Sequence, residues 1–421
     1  MAKSSLLVRA QLLPLLVLGG YALVILALLT PFFQNHFVFL HSVNFPFNAN
    51  FSNPERYGLA PSKARNVRLR TSDGVSLGAW HIVPDAFYSK AHPKVTSAPL
   101  TDADYEEALA SFPTVIYFHG NAGNRAAPFR MSSYNYITSR IHANVLAIDY
   151  RGFGDSKAPG VSPSEEGLVK DAWAAWDWVT SSKQNSNAKL GHTADSGGIG
   201  RDVILMGQSM GTGVASRLAL ELTEAGSPPQ AVVLIAPYAS LRSLVLDYQL
   251  GGIIPVMGPL KRMPGIDSLI DNYLITHFNS TSALHKLYFD TKVATPRLVP
   301  HLVLIHATKD DVIPFHHSER LFDALTTAEL GSIARRGTSS QVDNLETHEI
   351  DGFGKIVHLD LQNTHTPQAL SGATDGGKWD GHRERSATVT LIRTHWGGHN
   401  TGFSEGVADY VRQLLGWTER T

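Results

Sequence analysis

Short apolar runs punctuate the chain, and their spacing sets the fold class. PTVIYF (113–118), ANVLAID (143–149), DVILMG (202–207), AVVLIAP (231–237), HLVLIHA (301–307) and ATVTLIR (387–393) are β-rich and mostly nearly continuous in hydrophobicity. Strands buried on both faces have this character. Helical patterns separate them. Ser162-Pro163-Ser164-Glu165 is a capping box with proline at N1 and predicts a helix through about Ser182. Val407, Tyr410, Val411, Leu414 and Leu415 mark one apolar face of a C-terminal helix. NVRLRTSDGVSLGAWHIVP (66–84) alternates around Ser-Asp-Gly and reads as a β-hairpin. Alternating strands and helices predict an α/β fold, a mostly parallel sheet with helices on both faces.

Three stretches break this rhythm. Residues 88–112 are polar and read as a loop insertion with a short helix. Residues 239–299 are apolar and punctuated by Gly and Pro, as a helical lid would be. Residues 329–385, rich in Gly, Ser, Thr and charge, read as a long, partly ordered insertion. Before the body, Leu12 to Phe33 carries no charge. As one helix its 22 residues span about 33 Å, enough for a bilayer core. The expected organisation is a short cytosolic N-terminus (1–11), a signal anchor (12–33), a spacer (34–62) and one catalytic domain (63–421). Lys3 and Arg9 precede the anchor, which puts the body on the far side of the membrane. The run is long and lacks a small-x-small site, against a cleaved signal peptide. Sequons at Asn50 and Asn279 fit a lumenal, glycosylated body.

Composition narrows the chemistry. A net charge of −1 gives no reason to expect a nucleic-acid partner. The absence of cysteine removes disulfides, thiolate zinc sites and a cysteine nucleophile. The strand DVILMG runs into Gly207-Gln208-Ser209-Met210-Gly211, followed by the helical GTGVASRLALELTEAG. A serine on a sharp strand-to-helix turn projects its hydroxyl from the sheet edge, and flanking glycines permit the close approach. Such a serine needs a base, and the base an orienting acid, in the chain order Ser, Asp/Glu, His. Asp310 and Asp311 follow one later strand, and His395 and His399 follow the next. Loops at the carboxyl ends of strands are where open α/β sheets place their sites. The backbone amides of Met210 and, after His119-Gly120, Asn121 are positioned as an oxyanion hole; His119 itself reads as a brace for that loop. A metal pair at His395 and His399 would need a helix, which Gly397-Gly398 disfavours. No metal or cofactor is expected.

HGNAGN (119–124), DYRGFGDS (149–156), GQSMG, HATKDDVIP (306–314) and the terminal GGH resemble the α/β-hydrolase superfamily. More narrowly, they resemble the membrane-anchored serine lipases around α/β-hydrolase domain-containing protein 12, over roughly 63–325 and 386–417. The resemblance implies Ser209 as nucleophile, Asp310 as acid and His399 as base, with Asp311 and His395 as the runners-up. It implies a hydrolase of monoacylglycerols or lysophospholipids such as lysophosphatidylserine, on the endoplasmic reticulum with a lumenal body. Leu244, Val245, Leu246, Ile253, Ile254, Val256 and Met257 of the lid are candidates to bind acyl chains, to rest on the bilayer, or simply to pack on the sheet. A thioesterase or depalmitoylase, a peptidase, or a catalytically idle membrane scaffold remain alternatives on this fold.

Overall fold

The computed structural model describes residues 2–94, 96–190, 202–250, 254–255, 257–261, 263–289, 299–335, 345–361 and 387–417. The apolar runs form the core of a ten-stranded sheet: β1 (Ala64–Arg70), β2 (Ser76–Ile82), β3 (Thr114–Phe118), β4 (Asn144–Ile148), β5 (Val203–Gln208), β6 (Ala231–Ile235), β7 (His301–Ala307), β8 (Leu345–Ile350), β9 (Gly354–Asp360) and β10 (Thr388–Thr394). Their order is β1-β2-β4-β3-β5-β6-β7-β10-β9-β8. From β4 to β10 every pairing is parallel, and the hairpins at both edges are antiparallel.

The two faces of each strand feed two cores. Ile116 and Phe118 of β3 join Leu205, Leu234 and Leu304 on one side. Val115 and Tyr117 join Met206, Val233 and Ile305 on the other. The first core is covered by α6 (Glu165–Leu190), α7 (Met210–Glu224), α10 (Ser280–Phe289) and α11 (His316–Arg335). The second is covered by α5 (Pro128–Tyr136) and by α12 (Glu405–Leu414), whose Val407 and Val411 are buried beside Leu415. Burying one such side chain stabilises the fold by roughly 1.5–3 kcal/mol.

The elements take bounds that the sequence did not fully give. The helix expected from the capping box begins at Glu165, where Ser164 Oγ accepts the Gly167 N–H, and it runs to Leu190 rather than Ser182. The 88–112 stretch holds α4 (Asp102–Ser111), just after α3 (Asp85–Ala91). The 329–385 insertion begins inside α11 and contributes β8 and β9, which extend the sheet edge. Alternation around Asp351-Gly352 was the available signal, and Gly352 takes the left-handed conformation (φ +72°) that such a turn requires. The rest of that insertion, 336–344 and 362–386, lies outside the described residues.

The N-terminal run is not one helix. α1 (Ala2–Leu28) ends, Thr30 caps the next turn with Pro31 at N1, and α2 (Pro31–Phe39) leaves at 95°. Among the described residues no single helix is long and apolar enough to cross a membrane, although this bent pair passes together. Nor is 34–62 a free spacer. Phe39 is fully buried in the main core, and Phe51 and Leu59 lie in the other.

Candidate active site

Ser209 sits where β5 turns into α7, with φ +52° and ψ −121°. A non-glycine residue there stores about 1–3 kcal/mol of strain, held by its surroundings. Ser209 N–H donates to Ile235 O at 2.9 Å. The glycines around it are required by contact. A Cβ on Gly207 would lie 2.3 Å from Gly211 O, and one on Gly211 would lie 2.0 Å from Phe118 O. A Cβ on Gly120 would meet that of Ser209 at 3.1 Å, so the loop after β3 lies against the serine.

Asp310 and His399, from the loops after β7 and β10, meet as expected. His399 Nδ1 lies 2.9 Å from Asp310 Oδ2 and 3.2 Å from Oδ1. Against a carboxylate only an Nδ1–H satisfies this contact, which leaves Nε2 unprotonated in the neutral ring. Asp310 Oδ1 also accepts the amides of Val312 (2.9 Å) and Ile313 (2.8 Å). Burial pushes the Asp310 carboxyl up, but hydrogen bonds from His306 and His399 outweigh it and hold the group well below the usual carboxylate range. Asp311 is exposed. His395 is 43% exposed and faces Glu349 of β8 at 3.4 Å.

Two residues inside the GQSMG and HATKDDVIP motifs take supporting roles that the sequence did not assign them. Gln208 Nε2 donates to Asn400 Oδ1 at 3.2 Å and to His399 O at 3.4 Å, while its Oε1 accepts the Tyr117 hydroxyl at 2.6 Å. The residue preceding the serine thus holds the histidine loop beside it. His306 is fully buried. Its Nε2–H lies 2.9 Å from Ile313 O and 3.3 Å from Asp310 Oδ2, and Ser318 Oγ donates to its Nδ1.

Of the expected oxyanion donors, Met210 follows the serine directly, and Asn121 follows Gly120, which lies against the serine. Neither backbone N–H has an acceptor among the described residues. Met210 is the first residue of a helix, whose leading amides have no internal partner. The Asn121 loop is fixed from beneath. Arg130, 1% exposed, donates to the carbonyls of Gly120, Ala122 and Asn124. Arg125, fully buried, binds Asp149 and Asp155 of the DYRGFGDS motif. His119 Nε2 lies 3.4 Å from Asp149 Oδ1, the position of a brace.

The lid residues divide. Leu244 packs on the main core. Leu246 and Met257 join Ile266 and Ile270 in a small cluster of the cap's own, with Val245 and with Ile25 of α1 packed against it. Ile253 and Val256 lie outside the described residues, and Ile254 is described in its backbone only. α8 (Leu241–Asp247) and α9 (Ile266–Tyr273) form the cap proper, whereas α10 belongs to the body through Ala283, Leu284 and Leu287.

Asp247, His316 and His317 bring one ligand atom each within 4.8 Å of one another, the arrangement a metal ion would need. The Asp247 carboxylate is already shared by Lys261 Nζ at 2.6 Å and Arg320 at 3.4 Å. Two fixed cations beside one carboxylate oppose a third, so these contacts act as a latch between cap and α11.

A family model for the α/β hydrolase fold matches residues 115–313. The lysophosphatidylserine lipase ABHD12 of Xenopus tropicalis is 31% identical over 324 residues, 76% of this chain and 73% of that protein. Its Rattus norvegicus counterpart is 31% identical over 327 residues, 76% and 71% of the two chains. The Homo sapiens Protein ABHD12B is 30% identical over 284 residues, 67% of each.

Proposed function

Because this chain belongs to the α/β-hydrolase family of ABHD12 and its relatives, and is therefore an enzyme of the lipase/esterase type, we propose that it cleaves single-chain acyl glycerolipids through Ser209, His399 and Asp310. The substrate class is monoacylglycerol or lysophospholipid, such as the lysophosphatidylserine of the relatives' name. In the first half-reaction His399 Nε2 takes the Ser209 proton as Oγ attacks the ester carbon. The Met210 and Asn121 amides bear the charge on the tetrahedral oxygen. The proton then passes to the departing glycerol oxygen, leaving an acyl-serine. In the second, His399 deprotonates a water that attacks the acyl carbon, releasing fatty acid and restoring the serine. Asp310, whose ionised form the hydrogen bonds from His306 and His399 favour, stabilises the imidazolium.

The observation that carries this reading is the strained serine at the β5–α7 turn, tied through Gln208 to the loop of a histidine that Asp310 orients. The lipid preference rests on the apolar N-terminus. Leu13, Leu15, Leu16, Leu18 and Leu23 of α1, with Phe32 and Phe33, are at least half exposed. Patches this large mark interaction surfaces, and α1 touches the cap through Ile25. We therefore place α1 and the exposed start of α2, Phe32 and Phe33, in a bilayer, with the body lumenal because Lys3 and Arg9 precede the apolar run. The deciding experiment is Ser209→Ala in the full chain. Hydrolysis of lysophospholipids and monoacylglycerols and labelling by a fluorophosphonate should both disappear. Hydrolysis that survived would refute the mechanism, and wild-type activity confined to peptides or thioesters would refute the substrate class.

A further inference from the structure

The oxyanion loop is held from two sides, and one side is the segment that follows α2. Three consecutive loop amides donate to that segment: Ala122 N–H to Phe39 O (3.1 Å), Gly123 N–H to Val43 O (2.6 Å) and Asn124 N–H to Phe45 O (3.0 Å). Side chains repeat the pattern. Asn124 Nδ2 donates to Asn44 Oδ1 (2.9 Å) and Pro46 O (3.2 Å), and Asn121 Nδ2 donates to Val38 O (3.3 Å). Of the four amides from Asn121 to Asn124, only that of Asn121 is left without an acceptor among the described residues. Gly123 has φ +64°, and a Cβ on it would stand 3.0 Å from Phe45 O, so loop and segment are in close contact. The segment is fixed in turn: Gln34 bridges Tyr273 O and the Ile275 amide beside the cap, and Asn35 reaches Pro163 O.

We propose that residues 38–46 are a positioning splint for the oxyanion hole. The segment occupies every competing amide of the loop, and Arg130 occupies its carbonyls, so the Asn121 N–H is presented to the tetrahedral oxygen in a preset orientation. A preset donor stabilises the transition state without reorganising, which favours kcat over KM. Because the splint is continuous with α1 and α2, seating of the N-terminus and alignment of the oxyanion hole are mechanically linked. This inference rests on the Ser209 hydrolase reading above.

The test uses the full chain, a soluble p-nitrophenyl ester and a boronic acid, whose adduct with serine mimics the tetrahedral intermediate. Asn44→Ala removes the side-chain acceptor of Asn124 and should lower kcat about tenfold, a fraction of the hundredfold or more that loss of an oxyanion donor costs. It should weaken the boronate by the same factor and leave KM within about twofold. Asn44→Asp keeps an acceptor oxygen and should restore both, and Phe47→Ala, on the exposed neighbour, should match the wild type. Gly123→Ala presses on Phe45 O from the other side and should give the same kcat-selective loss if Asn44→Ala does not fold. The splint is overturned if kcat is unchanged in the folded variants, if kcat falls with the boronate unaffected, or if Asn44→Asp fails to restore it. Ser209→Ala run in parallel separates the two readings: activity there sinks the mechanism, whereas a silent Ser209→Ala beside an unaffected Asn44→Ala sinks the splint alone.

Discussion

Asp310→Asn is the sharpest probe of the triad, because the structure dictates which way the new amide must face. Asp310 Oδ1 accepts two backbone N–H groups, from Val312 and Ile313. An amide nitrogen placed there would set donor against two donors, so the Asn oxygen takes that position and its NH2 faces His399. The NH2 then donates to Nδ1, which moves the ring proton to Nε2, where the base must be empty. A triad histidine in the wrong tautomer loses about ten-thousandfold in kcat, or roughly 5.5 kcal/mol on the barrier. Folding should be affected only modestly, since both backbone donors keep their acceptor and His306, which loses Oδ2, keeps Ile313 O. The assay is kcat on a soluble ester, with thermal unfolding as the control. Asp311→Asn is the comparison and should keep kcat within about threefold, because that side chain is exposed. If Asp310→Asn retained more than a tenth of wild-type kcat, or if Asp311→Asn were the silent variant, the assignment of the acid would be wrong.

Two further outcomes are expected. His399→Ala should abolish esterase activity, while His395→Ala should cost only about twofold, since it is partly exposed and its charged neighbour, Glu349 at 3.4 Å, lies at the surface; equal losses would mean that the base is misassigned. The latch should respond to acid. Burial raises the Asp247 carboxyl, but Lys261 and His316 outweigh it and lower it from 3.8 to about 2. A depressed carboxyl contributes its stability above the unfolded value, near pH 4, and loses it as pH falls through about 2. Half-exposed partners hold that contribution to about 1 kcal/mol. The difference in melting temperature between wild type and Asp247→Asn should shrink as pH falls from about 4 toward 2; a difference that grew over that interval would contradict the assignment.

Local pattern encodes the strands and the serine turn. Buried parallel strands are apolar on both faces, so Thr114–Phe118 and Val203–Gln208 announce themselves within five or six residues. The GQSMG turn is equally local, because its glycines are demanded by atoms within a few residues or on the adjoining strand end. Asp310 and His399 were legible as residue types at strand ends, and the choice over Asp311 and His395 came from the resemblance to known hydrolases. Gln208 and His306 lie inside the GQSMG and HATKDDVIP motifs, yet their supporting roles, like that of Arg130, were not legible, since local pattern does not distinguish a polar side chain that reaches a distant loop from one that reaches water.

The N-terminus shows where sequence stops. Apolar content alone determined that residues 12–33 avoid water, and it suggested one straight span. Pro31 has no N–H to continue the ladder of α1, and only the fold shows that the chain turns there by 95° and lays Phe39 into the core. Likewise Val43, Asn44 and Phe45 carry no mark of their task. The carbonyls of Val43 and Phe45 and the side chain of Asn44 meet N–H groups of the loop about 80 positions away, and such pairing depends on where the sheet brings the HGNAGN loop. The sequence by itself determined the strands, the serine turn and the order of the chemical groups. The tertiary structure decided which carboxylate meets which histidine and what steadies the HGNAGN loop, because both depend on contacts between residues far apart in the chain.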